Sequence, residues 1–573
     1  MTGKLRLRTA LALVAALGSV LAIACTSTSA AQCVTDSECD TILKAQAGSG
    51  RCNAGVCSVF TPPFDNPDAA PLTVCESTEK CKQLHPGERW ACLEPQKKDC
   101  VKLESAECRP SDNWDRIIPD SQPFFIGDIL PMDQKQPDGT TAPDEFWTEM
   151  ANATELFRRE WQSTTNGILV GPRQDPQPVV TFTCNTKGDP AKALASVDFL
   201  ASIGVPAVMV GQHIEAKVIL SKLVQNNMFA FCSNCYGADF TAAETKGLLY
   251  HDYPDEPSSI APLAKIWVKE METRRKAANQ VANPPNLRVA YMSTDTTILQ
   301  LRAKGVIDAI EFNGKPARQQ PNDFLQITTV KPGDGIINWD TEVAKLVPFK
   351  PDLIFLAFGD ATATDIIPRI EATWPNGVPK PHYIVGATEY LPDLLGNLLI
   401  GKPDLMKRLV GIGTAAPAST DDNYFAYLDR SKAAFGKEPS ADANYEMGYV
   451  LANAMVAAVN DPQTLFGKMT GKDIARNIGF VVDQQSTHVI NTTPSQIKEG
   501  VNFLKVRPIT SIKQLGIYSE FDFDPATGIQ KFDASLWCPQ MDENNKFVLS
   551  DVIYYQYKTK SLDKPFDPLD CKW

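Results

Sequence analysis

Short continuous apolar runs recur along most of the chain, and the stretches between them carry apolar residues at helical spacing. PFFIGDILP (123–131) and PVVTFTC (178–184) are apolar runs of strand length. Between them, EFWTEMANATELFRREWQ (145–162) sets Phe146, Met150, Ala153 and Phe157 on one helical face. Asp189-Pro190 then supplies an N-cap and a first-turn proline; Leu194, Val197 and Leu200 or Ala201 give that helix an apolar face, and Gly204 ends it. VPAVMVG (205–211) predicts a strand, 214–227 a helix and MFAF (228–231) another strand. Further strand candidates follow at RVAYMS (288–293), AIEFNG (309–314), DLIFLAFG (352–359), HYIVGA (382–387) and LVGIGTA (409–415), separated by helical stretches. Strand–helix alternation predicts parallel sheets covered by helices on both faces. The units are too many for one small sheet, so the expected architecture is α/β with two doubly wound parallel-sheet lobes. From Ile509 the tail turns strand-like, in GIYSEFDFD (516–524) and FVLSDVIYYQYK (547–558).

Before about residue 120 the texture differs. Lys4, Arg6 and Arg8 precede an apolar stretch, Ala10 to Ala24, too short to cross a bilayer, which reads as a secretory signal. Ala22-Ile23-Ala24-Cys25 resembles a bacterial lipobox, which implies cleavage after residue 24, lipidation of Cys25 and an anchored segment over 25–32. Two or more acyl chains hold a protein to a membrane stably. The alternative is an ordinary signal cut near Ala30. Nine cysteines lie between Cys33 and Cys108 in a segment poor in large aliphatic residues, so 33–112 is expected to be a small disulfide-rich module. FTPPFDNPDAAPLT (60–73) reads as a linker inside it.

Of 15 cysteines, setting Cys25 aside leaves 14, an even number, and disulfides are the default in an exported chain. Cys538 and Cys571 are expected to bond with each other. The module then holds nine and the first lobe three (Cys184, Cys232, Cys235), both odd, so full oxidation requires a bridge between them. Cys232 pairing with Cys235 or Cys184 would leave a third thiol for a module cysteine, Cys108 being nearest in sequence. The net charge of −12 argues against nucleic acid as a partner. No phosphate loop, G-x-S-x-G elbow or H-E-x-x-H is present, and none of the five histidines is paired at metal-ligand spacing. Cys232-Ser233-Asn234-Cys235 follows a strand and leads into a loop, which favours a structural bridge over redox chemistry. The expected protein is not an enzyme and needs no cofactor or metal.

The stretch 183–241 resembles the first lobe of type I periplasmic binding proteins, within them the leucine/isoleucine/valine-binding group. Its landmarks are Gly188-Asp189-Pro190 before a helix, a strand ending at Gly211, and a strand leading into Ser233-Asn234. RVAYMSTD (288–295), KPDLIFLAFGD (350–360), YEMGYVLANAMVAAV (445–459) and GIYSEFDFDPATG (516–528) match further along. The resemblance implies a two-lobe ligand-binding domain over 120–573, lobe one about 120–250 and 416–520, lobe two about 255–412 and 525–573. It implies a small polar ligand (amino acid, amide or small organic acid), an ABC permease as partner, and a place in the bacterial cell envelope as an anchored lipoprotein. An anchored sensor or interaction scaffold reusing the fold is the alternative.

In such relatives, hydroxyls and backbone N–H groups of lobe one grip the ligand. By position these fall at Gln212, His213, Ser233, Asn234 and Tyr236, with Thr294, Asp295 and Asp360 on lobe two. The first loop lacks the expected Ser or Thr, and Glu215 would repel a carboxylate unless it points away. The aromatic and acidic positions of lobe two fall near Ile298 and Ala363, so the amino-acid signature is incomplete.

Overall fold

The computed structural model describes residues 50–53, 56–59, 75–94, 99–119, 124–135, 140–170, 175–251, 258–279, 285–295, 297–329, 337–357, 360–386, 392–414, 422–437, 439, 442–464, 469–506, 509–517, 520–541, 547–549 and 552–566. The signal and Cys25 lie outside them, as does Cys571. The chain divides into two units, Met1–Val74 and Cys75–Trp573. In the first, Gly50–Asn53 and Val56–Val59 form a hairpin that places Cys52 opposite Cys57.

The second unit opens with a disulfide-bonded segment. Cys75–Cys92 and Cys81–Cys100 cross-link it around the short helix Thr78–Leu84, and the four cysteines with Trp90 make up its small core. Cys108–Pro110 then enters the sheet of lobe one as an antiparallel edge strand, with Cys108 opposite Cys184 and disulfide-bonded to it. Cys232 bonds to Cys235, and Cys538 is disulfide-bonded as well. The Cys108–Cys184 bridge closes a loop with a sequence separation of 76, which gives a chain-entropy contribution of about 4 kcal/mol. We therefore expect Cys184→Ser to lower stability by roughly that amount, read from the urea midpoint, and non-reducing peptide maps of the native chain to contain the joined peptide.

Lobe one is a six-stranded sheet. From one edge it runs Leu249–His251, Phe229–Cys232, Ala207–Val210, Phe124–Leu130, Val179–Asn185 and Cys108–Pro110, all parallel except the last. The central strand FFIGDIL is buried along its whole length because helices cover both faces. On one face lie Glu145–Thr165 and Ala443–Asn460, whose Phe157, Trp161 and Tyr449 interlock. The second helix is apolar nearly all round, as an internal helix must be. It approaches closely at Gly448, where a Cβ would meet the Phe157 ring. Pro190–Ser202 and His213–Gln225 cover the other face.

Lobe two is an eight-stranded sheet in the order Phe324–Thr329, Val289–Thr294, Leu353–Ala357, His382–Gly386, Leu409–Thr414, Ala534–Trp537, Ile553–Gln556, Ser561–Leu562. The first five are parallel and the last three antiparallel. The chain leaves lobe one after His251, returns to it after Thr414, and leaves again through 520–533 to the strand Ala534–Trp537. This is the two-lobed α/β architecture the patterning predicts. Two strand assignments change: the described residues of GIYSEFDFD hold only isolated bridges, at Glu520 and Phe523. AIEFNG is the end of helix Thr297–Ala309 and a two-residue hairpin arm, and the edge strand is Phe324–Thr329. That strand was hidden because it alternates in burial and carries Gln326, Thr328 and Thr329, as an edge strand can.

Candidate functional site

In open parallel sheets, ligand-bearing loops follow the carboxyl ends of the strands. In lobe one these are the loops after Leu130, Asn185, Val210 and Cys232. The Cys232–Cys235 disulfide closes the last into a short ring. Within it, Ser233 is buried and points back: its N–H and hydroxyl both donate to the Val210 carbonyl, at 3.1 and 3.4 Å. Asn234 is half-buried, and its side chain makes no hydrogen bond among the described residues. Tyr236 is buried, and its N–H donates to Nδ1 of His213 at 3.3 Å.

That bond fixes the tautomer of His213. Since Nδ1 accepts, Nε2 carries the proton and donates to Asp239 at 2.9 Å. Burial holds the ring's pKa below its ordinary value, against the pull of Asp239. Both nitrogens are thus used inside the protein, and the ring positions the 236–239 turn. Lys217 joins the same Asp239, with its ammonium over the Phe240 ring.

Gln212 is the N-cap of helix His213–Gln225 in extended conformation, and its side chain makes no capping bond. The neighbouring helix differs: Asp189 accepts from the Ala191 N–H at 2.8 Å. First-turn N–H groups have no partner inside a helix and carry the positive end of its dipole. An uncapped start beside the Asn234 loop is therefore a place to receive an oxygen acceptor. Ile214, in the same turn, is 56% exposed and offers apolar surface next to it.

Glu215, two residues past His213, is turned inward. The Thr186 hydroxyl donates to Oε1, while Oε2 is buried without a partner. Burial, opposed by the Thr186 bond, pushes the carboxyl up to about 7. Glu215 is therefore buried beneath the strand-end loops, its carboxylate tied to the one that begins at Thr186. Sequence spacing placed it near the site, but its inward rotamer depends on Thr186, a partner 29 residues away.

On lobe two, Thr294 ends the strand Val289–Thr294, and its carbonyl accepts from the Gln300 amide. Asp295 follows, exposed, with its N–H donating to Thr329 O at 3.0 Å. Asp360 begins helix Asp360–Thr373 after the next strand; its side chain lies outside the described residues. Ala363 is packed in the lobe core and Asp365 is exposed. The fold thus gathers Gln212, His213, Ser233, Asn234 and Tyr236 past the carboxyl ends of the lobe-one strands, and Thr294 with Asp295 at the carboxyl end of a lobe-two strand. Among the described residues no group of three metal-ligating side chains occurs, and no helix is long and apolar enough to cross a membrane.

The architecture matches solved substrate-binding proteins of ABC transporters. A fatty acid ABC transporter substrate-binding protein from Thermomonospora curvata superimposes with a TM-score of 0.51, covering 82% of this chain and 98% of that one at 12% identity. A branched-chain amino acid transporter substrate binding protein from Streptococcus pneumoniae, in complex with isoleucine, gives 0.49 over 76% and 100% at 14% identity. A solute binding protein of an ABC transporter from Rhodopseudomonas palustris BisB5, in complex with 3,4-dihydroxy benzoic acid, gives 0.49 over 76% and 99% at 12% identity. No family model matches the sequence, and no curated protein matches it significantly. The chain has the type I periplasmic binding fold; at these identities the likeness concerns the fold alone.

Proposed function

We propose that the chain is an exported solute-binding protein that captures a small ligand bearing a carboxylate or similar oxygen acceptor between its two lobes. The observation that carries this reading is the uncapped start of helix His213–Gln225 beside the half-buried, unbonded Asn234. Isoleucine and 3,4-dihydroxy benzoic acid, the ligands bound in two of the similar structures, are both carboxylates with apolar bodies. Ile214 would lie against such a body. Glu215 is buried, bonded to Thr186 and pushed up to about 7, so it opposes a ligand's charge less than an exposed carboxylate would. Lipidation of Cys25 would hold the protein at the cell envelope, and an ABC permease would receive the ligand.

A thermal-shift panel of amino acids, aromatic acids, fatty acids and their amides tests it. A ligand at 100 times its Kd should add about 2.7 kcal/mol to stability. Asn234→Ala should weaken any hit at least about tenfold, a loss of about 1.4 kcal/mol. Equal binding of acids and their amides, or a hit that Asn234→Ala leaves intact, would refute the assignment.

A further inference from the structure

His251 is the last residue of lobe one before the first crossing, and it is also paired with the third. Its N–H donates to Gly528 O at 2.8 Å, its carbonyl accepts from Gln530 N–H at 3.3 Å, and it bridges Ile529 in parallel register. On its other side it is in register with Cys232, where the site loop begins. The ring is fully buried. It lies against Phe240, with centroids 5.0 Å apart, and close to Gly237, on which the Ile529 side chain also packs. Among the described residues neither Nδ1 nor Nε2 has a hydrogen-bond partner. The imidazole therefore fills a buried seam between the turn that follows Tyr236 and the strand pairing of His251 with the third crossing.

A neutral ring pays for its two unmade hydrogen bonds but can remain there; an imidazolium cannot, because a buried unpaired charge is far more costly. Among the described residues, the charged groups around it offer no rescue. Helix His213–Gln225 presents His213 and Lys217, both of which oppose a positive charge at His251. The turn presents Asp239, already engaged by those same two groups. The third crossing brings Asp524 toward Tyr250, one residue earlier. Strand Phe229–Cys232 has no ionisable side chain beyond its disulfide-bonded cysteine. Burial accordingly holds the ring down to about 3.

We propose that His251 is an acid-operated hinge release: proton uptake drives its ring out of the seam, uncouples the first and third crossings, and shifts the lobes toward an open form that lets ligand go. The proposal rests on the lobes being a hinged receptor, as read above. Its test needs no ligand, so its failure and that of the ligand reading are separable.

The experiment is small-angle scattering of the full chain from about pH 7 down to about pH 3, with far-UV circular dichroism in parallel. The wild type should show a rise in radius of gyration with unchanged secondary structure. His251→Phe and His251→Leu should abolish that rise. If neither variant folds, ring resonances of His251 in the wild type are followed by NMR, and their midpoint must coincide with that of the scattering. A rise retained in either variant, a rise that coincides with loss of circular dichroism, no rise at all, or separate midpoints would each overturn the proposal.

Discussion

Asp128→Asn should raise stability at about pH 8 by roughly 2–4 kcal/mol and leave the protein newly sensitive to acid. Asp128 lies in the central strand of lobe one, wholly buried. Thr154 Oγ1 donates to its Oδ2 at 2.7 Å and Asn444 Nδ2 to its Oδ1 at 2.9 Å, and no cation reaches it among the described residues. Burial dominates these two bonds and pushes the carboxyl up to about 7, from 3.8. A group raised in this way stabilises fully below its unfolded pKa and loses that contribution as pH climbs through about 7. Three units correspond to about 4 kcal/mol as an upper figure. The amide of the variant keeps the shape without the charge, and Asn444, whose Oδ1 is buried without a partner, can turn to accept from it.

The acid sensitivity follows from groups of opposite sign. His251 and His382 are both held down to about 3, by burial first, and for His382 also by Arg408. Their contribution is complete above 6.5 and is lost as pH falls toward about 3. In the wild type the slopes of Asp128 and Glu215 oppose those of the histidines over the same pH range, and Asp128→Asn leaves Glu215 alone against the two histidines. Urea midpoints at about pH 5 and about pH 8, with m-values, check this. An equal effect at both pH values would remove the titration of Asp128 as the cause.

The two-lobed plan was legible because apolar runs and 3.6-residue periodicity report burial directly, and buried parallel strands make the longest runs. Val179–Asn185, Ala207–Val210 and Leu353–Ala357 announce themselves in that way. Phe324–Thr329 does not, because an edge strand with one covered face needs only alternate apolar residues. The lobe-one loops could be located by their distance past each strand end. What each side chain does there could not. Whether His213 faces a ligand depends on Tyr236 and Asp239, 23 and 26 residues on, and the direction of Glu215 depends on Thr186. Asp128 and His251 read simply as one polar residue in an apolar run and one at a crossing. Their importance lies in the partners that three-dimensional packing gives or withholds.

Arg408→Met should cost about 3–5 kcal/mol, and adding Glu371→Leu should recover part of the loss. Arg408 immediately precedes the strand Leu409–Thr414, and Glu371 is near the end of helix Asp360–Thr373. The guanidinium meets the carboxylate fork to fork, each nitrogen 2.9 Å from its own oxygen. It also donates to Pro381 O at 2.7 Å and to Asp404 at 2.9 Å. Tyr383 and Lys380 donate to the same Glu371, at 2.7 and 2.8 Å. Burial by itself would raise the Glu371 carboxyl, but these donors outweigh it and hold it down to about 2. Its contribution is therefore present above 4.5 and lost as pH falls through about 2. Removing Arg408 leaves a mostly buried carboxylate with two weaker donors and strips Pro381 of a bond. Removing both charges takes away the buried carboxylate but also strips Tyr383 and Lys380 of their acceptor, so the recovery is partial. The network stands at the amino ends of the strands, away from the loops that carry the proposed site, so ligand affinity per folded molecule should not change. A double-mutant cycle on urea midpoints, with a thermal-shift hit as the binding readout, separates the two. A double variant no more stable than Arg408→Met would mean that the loss comes from packing and the Pro381 and Asp404 bonds, not from an orphaned charge.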